Sequence, residues 1–341
     1  MSKLTIKEIA KIAGVSPSAV SIVINGKKGV GEDTRKKVST IIQNLQYTPN
    51  PNSRRLLFNK TNNIAILFMK NMSPMEHFFY SELNREILHQ CEALGYNLIF
   101  TSITVEKDDA IFPNVVKAYD VDGIMLYGDV EEFVLSGIKR FEIPYIIIDN
   151  HLMDPKELSI RADYEKAAYT AVRYLIGSGH RDIAYLGSTE LPRFNTQTFS
   201  GFKKATEESR IAIPISWIQM DAGSEDLAFR RMEEILTGED IPSAVFCAAD
   251  IYAVGAMKAI KKKGVRIPED ISVIGIDDII LSRYIEPALT TVRIDKAEMG
   301  RLATEMLIRK IEKKETENVT IISDDLIIRE STGCFDKEQR R

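Results

Sequence analysis

Apolar residues near the N-terminus recur at helical spacing. In "TIKEIAKIAGVSPSAVSIVING" (residues 5–26), Ile6, Ile9, Ala10 and Ala13 fall at i, i+3, i+4 and i+7 and form one stripe. Thr5 precedes the stripe and Glu8 follows three residues later, the pattern of a capping box. Gly14 suits a left-handed helix end. Ser16 then caps a second helix, with Pro17 at its first position, where a missing N–H costs nothing. On this helix Ala19, Val20, Val23 and Ile24 face one way, and Pro17, Ser18, Ser21, Ile22 and Asn25 the other. A third helix is predicted over about 32–45, started by Gly31, with Val38, Ile41, Ile42 and Leu45 as its stripe. Three such helices close a small core and leave the second with a small, polar outer face. That is a helix-turn-helix, whose second helix enters the major groove of DNA; the plainer reading is an ordinary helical bundle.

The pattern breaks after Tyr47. In "TPNPNSRRLLFNKTN", Asn50 and Pro51 are a cap and a first residue for a helix of about two turns, too short to hold in water alone. Either it is a linker, or it folds when a partner or DNA buries it. Leu56 and Leu57 among arginines favour the second reading, since an apolar wedge beside basic residues is what kinks a minor groove.

From Asn62 the rhythm becomes that of alternating strands and helices. "NIAILF", "YNLIFTSI", "VDGIMLYG" and "IPYIIIDN" are apolar runs of the buried parallel type, and "EHFFYSELNREILHQCEAL" is helical. "DYEKAAYTAVRYLIGSGH" is a helix capped by Asp163, and "DIAYLGS", "SWIQMD", "SAVFCAAD" and "ISVIGIDD" are further strands. The alternation predicts α/β layers on parallel sheets, in two doubly wound lobes divided near 150–161. Ligands in such folds sit beyond the carboxyl ends of the strands, here the cleft between lobes.

Charge sharpens the division. Residues 1–60 hold eleven Lys and Arg against three acids, a net of +8. The whole chain has 45 basic and 49 acidic residues, so the rest carries −12. A basic end on an acidic body is the footprint of phosphate contact by one end. No apolar run has the length of a membrane span, and no signal-type segment opens the chain. Cys91, Cys247 and Cys334 are scattered and odd in number, which fits a reducing cytoplasm and no disulfide framework. No dinucleotide fingerprint, phosphate loop, nucleophile elbow or zinc helix is present. His77, His89, His151 and His180 are dispersed, so neither catalysis, a metal nor a cofactor is indicated.

"IKEIAKIAGVSPSAVSIVING", "TRKKV", "YTPNPNSRRL", "GHRDIAYLGS", "GFKKA", "IPSAVFCAAD", "VGAMKAI" and "ISVIGIDD…PALTTV" together, in order along nearly the whole chain, resemble the lactose-repressor family of bacterial transcription regulators. The resemblance implies a headpiece at 1–48, a hinge helix at 49–60 and a periplasmic-binding-protein-like core at 61–341. Lobe 1 would take about 61–160 and 290–322, and lobe 2 about 161–289 and 323–335. It implies a cytoplasmic homodimer on a double-stranded, palindromic operator. Pro17, Ser18 and Ile22 would occupy the base-reading positions. Thr5, Ser16, Ser21, Asn25 and Thr34 would join them as phosphate and edge contacts, with Leu56 as minor-groove lever and Asn50 and Ser53 as its hinge neighbours.

Departures from the family pattern matter most. Position 22 is often Arg in the family; Ile22 offers only apolar contact, for example to a thymine methyl. In the cleft, Thr198 stands where the family usually has Arg, and Ala249 where it usually has Asn. Asp149 and Asp277 are kept, and Arg193 is a candidate substitute for the missing Arg. Asp250 either lines the cleft or merely caps its helix. His77, Phe78 and Phe79 are further candidates for the cleft wall, or part of the core. The signal is then either a small ligand, a sugar or sugar phosphate, or a protein co-regulator. A cytosolic sugar-binding protein with no DNA role is the rival class, opposed by the basic headpiece.

Overall fold

The computed structural model describes residues 4–24, 28–45, 47, 60–70, 75, 77–107, 109–151, 156–323 and 325–335. The chain forms two compact units, 1–62 and 63–341.

The first unit contains α1 (Ile6–Ala13), α2 (Pro17–Ile24) and α3 (Glu32–Asn44). Thr5 and Glu8 form the reciprocal capping box, the Thr5 N–H donating to Glu8 Oε2 at 2.7 Å and the Glu8 N–H to Thr5 Oγ1 at 3.3 Å. Gly14 takes φ 65°, a conformation that would strain any side chain, and so permits the abrupt turn into α2. Ser16 Oγ accepts from the Ala19 N–H at 3.2 Å. Ile9, Ala10, Ala13, Val20, Val23, Val38 and Tyr47 are buried together. Leu45 departs from the predicted stripe: it is 40% exposed, because α3 stops at Asn44 and Leu45 is its end cap. The expected hinge helix at 49–60, with Asn50, Ser53 and Leu56, lies outside the described residues except for Lys60, and Asn25 lies outside them too.

The second unit has two sheets. Lobe 1 is ordered β12-β6-β5-β4-β1-β2-β3 and lobe 2 β13-β11-β10-β9-β7-β8. Lobe 1 holds β1 (Asn63–Met69), β2 (Asn97–Glu106), β3 (Asp109–Ile111), β4 (Gly123–Tyr127), β5 (Tyr145–Ile148), β6 (Ser159–Ala162) and β12 (Val319–Ile321). Its helices are α4 (Phe78–Ala93), α5 (Asn114–Lys117), α6 (Glu132–Lys139) and α11 (Lys296–Ile311). Lobe 2 holds β7 (Ile183–Leu186), β8 (Ile218–Gln219), β9 (Ala244–Cys247), β10 (Ser272–Asp277), β11 (Thr290–Arg293) and β13 (Asp325–Ile327). Its helices are α7 (Tyr164–Gly177), α8 (Pro192–Glu208), α9 (Glu225–Ile235) and α10 (Asp250–Lys262).

The pairing is parallel except at two edges, where β2–β3 and β11–β13 run antiparallel. The β2–β3 link is too short for a crossover, so the strands form a hairpin. The chain crosses between lobes after β6, after β11 and after β12. The expected return to lobe 1 at about 290 is corrected: β11 pairs with β10 in lobe 2, and the return begins with α11 at Lys296. The run "SWIQMD" also differs from a full strand. Pro214 leads into a 3-10 turn, Ile215–Trp217, leaving a two-residue edge strand.

The quoted "GFKKA" has a packing reason. A Cβ on Gly201 would lie 2.2 Å from the Glu165 carbonyl oxygen and 2.8 Å from the Tyr169 nitrogen, so α7 and α8 touch backbone to backbone there. Phe202 fills the core beside it, 2% exposed.

Candidate functional site

On α2, Pro17 and Ser18 are exposed and Ser21 and Ile22 half-buried, while Val20 and Val23 lie beneath them. Five of the predicted headpiece residues outside α2's interior therefore share accessible positions: Ser16, Pro17 and Ser18 are exposed, and Ser21 and Ile22 partly so. Thr34 is half-buried in the first turn of α3. Thr5 is exposed, but its hydroxyl is engaged by Glu8. Ile22 leans toward the following loop; a Cβ on Gly29 would sit 3.6 Å from its Cδ1.

The second candidate site lies between the lobes, where strands β4, β5 and β10 end. Asp149 follows β5 with φ 62°, and Asp277 ends β10 with φ 120°. Both occupy left-handed backbone that a non-glycine residue adopts at a cost, a feature concentrated at functional sites. Asp149 accepts from Tyr80 Oη and from Tyr164 Oη, each at 2.9 Å. Tyr80 belongs to α4 of lobe 1 and Tyr164 to α7 of lobe 2, so one carboxylate ties the lobes. Tyr80 stacks on Tyr127, whose hydroxyl donates to Asn84.

His151 extends the junction. Its Nε2 is 3.6 Å from Asp149 and its Nδ1 3.5 Å from Asp129, and its N–H donates to Asp129 at 2.9 Å. Burial pushes its basicity down, but the two carboxylates outweigh burial and hold its pKa above the ordinary value. From lobe 2, Gln197 Nε2 donates to the His151 carbonyl at 2.6 Å, and Arg193 reaches Asp129 at 3.7 Å.

The remaining predicted residues divide. Arg193 reaches the junction. Thr198 is fully buried, its hydroxyl bonded to Tyr185 Oη at 2.9 Å and turned to the carbonyls of Phe194 and Asn195; it offers no replacement for an arginine fork. Ala249 is buried and stands just before α10 as its N-cap. Asp250 neither caps α10 through its side chain nor reaches for a ligand. It is fully buried and accepts from the Ile279 N–H at 3.1 Å, Ser282 Oγ at 2.6 Å and Thr291 Oγ1 at 2.6 Å, which bolts β10, β11 and the following turn together. Burial nevertheless pushes its carboxyl upward. His77 is exposed at the start of α4, Phe78 half-buried and Phe79 buried in the core.

Sequence reasoning missed Tyr80, Tyr127, Tyr164, Asp129, His151, Gln197, Glu82 and Lys296. Lys296 Nζ, at the start of α11, donates to the carbonyls of Asp277 and Asp278 and pairs with Glu82 of α4 at 3.6 Å. Glu82 also accepts from the Ile280 N–H at 2.9 Å. A strand-end position was the available signal for Asp129; the helix-borne tyrosines gave none. His180 packs structurally, with Nδ1 3.0 Å from Ser243 Oγ. Cys91 is buried, and burial pushes its thiol up to about 12. Among the described residues no group of His, Cys, Asp and Glu has metal-site geometry, and no helix is long and apolar enough to cross a membrane.

A basic three-helix unit with a small polar recognition face, followed by a two-lobed core with its polar junction at the strand ends, defines a DNA-binding regulator. Residues 5–50 match the model for bacterial regulatory proteins of the lacI family, and 172–332 match the periplasmic binding protein-like domain. The transcriptional repressor PurR of Pasteurella multocida is 34% identical over 334 residues, covering 96% of this chain and 98% of that one. The probable repressor ExuR of Bacillus subtilis is 32% identical over 330 residues, covering 96% and 98%. The fold matches the lac repressor dimer bound to operator and the anti-inducer ONPF, with TM-score 0.82, 23% identity and coverage of 97% and 100%. It also matches the CelR–cellobiose complex, with TM-score 0.68, 24% identity and coverage of 96% and 99%. The chain belongs to the lacI family, and it is a DNA-binding transcriptional repressor rather than an enzyme.

Proposed function

We propose that this repressor binds a two-fold symmetric operator as a homodimer in the cytoplasm, and that a small ligand between the lobes sets its affinity. Pro17, Ser18 and Ile22 meet base edges, Ser16, Ser21, Asn25 and Thr34 meet phosphates and groove edges, and residues 49–60 form the hinge, with Leu56 entering the minor groove. The observation that carries the ligand reading is the junction at Asp149. One carboxylate holds tyrosines from both lobes at 2.9 Å, so a ligand that competes for those groups changes the lobe arrangement. By linkage, a ligand favouring one arrangement changes operator affinity by its differential affinity for the two. The structural neighbours solved with an operator and with cellobiose support the same reading.

The test is a mobility shift of the full chain on DNA upstream of its own gene, with and without the low-molecular-mass fraction of a cell extract. A shift that weakens steeply with salt and changes with the extract upholds the reading. Salt-sensitive binding indifferent to every small-molecule fraction refutes the ligand and favours a protein co-regulator, for which the loss of the family's Arg and Asn at Thr198 and Ala249 already speaks.

A further inference from the structure

We propose that the core of this repressor responds to protons: the charged form of His151 latches the two lobes together, and loss of its proton releases them and changes operator affinity across the neutral pH range. The inference rests on the reading that the lobe arrangement sets operator affinity, and it needs no particular ligand.

The geometry at His151 suits a charged ring. The residue follows β5 in lobe 1 and is 6% exposed. Its Nδ1 stands 3.5 Å from Asp129 and its Nε2 3.6 Å from Asp149. Both separations are long for a hydrogen bond, and Nδ1 has no hydrogen-bond partner among the described residues. A neutral imidazole gains little from carboxylates at that range, whereas an imidazolium attracts both. Lobe 2 closes over the same ring. Tyr164 of α7 and Phe194 of α8 each have a ring centroid within 5.4 Å of it. Gln197 of α8 donates to the His151 carbonyl, and Tyr164 to Asp149.

Charge balance gives the direction. The charged groups acting on His151 are Asp149 and Asp129 from lobe 1 and Arg193 from lobe 2. Tyr80 of α4 faces the junction through its bond to Asp149, with the His77 ring 4.9 Å behind it. Asp154, three residues on from His151, lies outside the described residues. With the ring charged, two negative groups meet two positive ones. With the ring neutral, one negative charge is left over beside an Asp149 side chain only 7% exposed. An uncompensated buried charge is costly, and admitting water relieves it. Here that means parting Tyr164 and Gln197 from their lobe 1 partners. Proton binding and lobe closure therefore favour each other, and rising pH opens the junction.

The response is separable from the headpiece's own chemistry. Residues 1–60 contain no histidine, the side chain that ordinarily changes charge between pH 5 and 8. Of the other three histidines, His77 and His89 are exposed, and His180 packs within lobe 2 against Ser243 and the Gly333 carbonyl.

Small-angle scattering and operator mobility shifts of the full chain from pH 6 to pH 9 test this. The radius is expected to grow with pH, and affinity for DNA upstream of the chain's own gene to change at least three-fold over the same interval. His151→Gln is expected to remove both responses, and His89→Gln to keep both. Proton resonances of the histidine rings in the parent chain give a reading that needs no variant: one ring is expected to titrate over the interval in which the radius changes. A constant radius, no ring titrating in step with it, or an undiminished pH response in a folded His151→Gln protein overturns the latch; the ligand reading then stands or falls on its own extract-dependent mobility shift. A radius that grows with no change in affinity overturns the proposal through its premise, the control of DNA binding by lobe arrangement.

Discussion

On the proposed reading, Ile22 decides what kind of base edge α2 meets. An arginine at that position grips guanine through two parallel hydrogen bonds, worth roughly 1–3 kcal/mol of discrimination. A half-buried isoleucine has only methyl contact to offer. Ile22→Arg is therefore expected to change the preferred half-site while non-specific affinity stays nearly constant. Parallel binding selections that return the same half-site for both proteins would refute this. His151 carries a second residue-scale prediction. Its pKa is raised in the folded core by Asp149 and Asp129, against the effect of burial. A raised value means the charged form stabilises the fold. That contribution is complete below the ordinary histidine value of about 6.5 and is lost as pH climbs through the raised one. Asp250, pushed up by burial, and Asp277, pushed up by burial and by Asp250, have the same sign beginning from the carboxylate range. Denaturant titrations at pH 6 and pH 8 should show the core losing stability with pH, and His151→Gln should lose less of it. An identical loss in both proteins would exclude His151 as a contributor.

At the scale of elements, close helix contact and end chemistry dominate. The α7–α8 pair meets at Gly201, where an added Cβ has backbone 2.2 Å away on Glu165. Backbone cannot step aside as a side-chain tip can. Gly201→Ala should cost on the order of 2 kcal/mol, in the range of overpacked cores, and lower the melting temperature of the core. In the headpiece, Thr5→Ala removes the side-chain half of the capping box, in which Thr5 Oγ1 accepts from the Glu8 N–H, and keeps the backbone N–H that donates to Glu8; it should cost about 1 kcal/mol there, measured by helical signal against temperature. The cap was legible from residue spacing because its partners are three positions apart. The helix contact was not: "GFKKA" marks a glycine, but only the fold brings Glu165 to it.

For the whole molecule, the proposed reading gives DNA binding to the basic headpiece and its control to the acidic two-lobed body. Removing residues 1–60 takes away a net +8 and should abolish operator binding; retention of full affinity would sink the account of the headpiece. Within the body, Tyr164 crosses from lobe 2 to Asp149 in lobe 1. Tyr164→Phe loses a hydrogen bond to a charged acceptor, roughly 1.5–3 kcal/mol, and so favours separated lobes. Small-angle scattering of the full chain should then report a larger radius, and an unchanged radius would show that other contacts hold the junction.

The sequence by itself determined the local units. Helix stripes, caps, the tight turn at Gly14 and most apolar strands depend on neighbours within a few residues, and periodicity records such neighbours directly. The resemblance to the lactose-repressor family, rather than any spacing in the chain, marked Asp149 and Asp277. Tertiary structure alone decided which of those acids has a partner, that Thr198 turns inward to Tyr185, that Asp250 is a bolt, and that β11 stays in lobe 2. It alone joined Tyr80, Tyr164, His151 and Gln197 at one junction. Hydrogen bonds between residues far apart in the chain, 69 positions from Tyr80 to Asp149 and 198 from Glu82 to Ile280, leave no period in it; they exist only once two sheets and the crossings between them have fixed the distances.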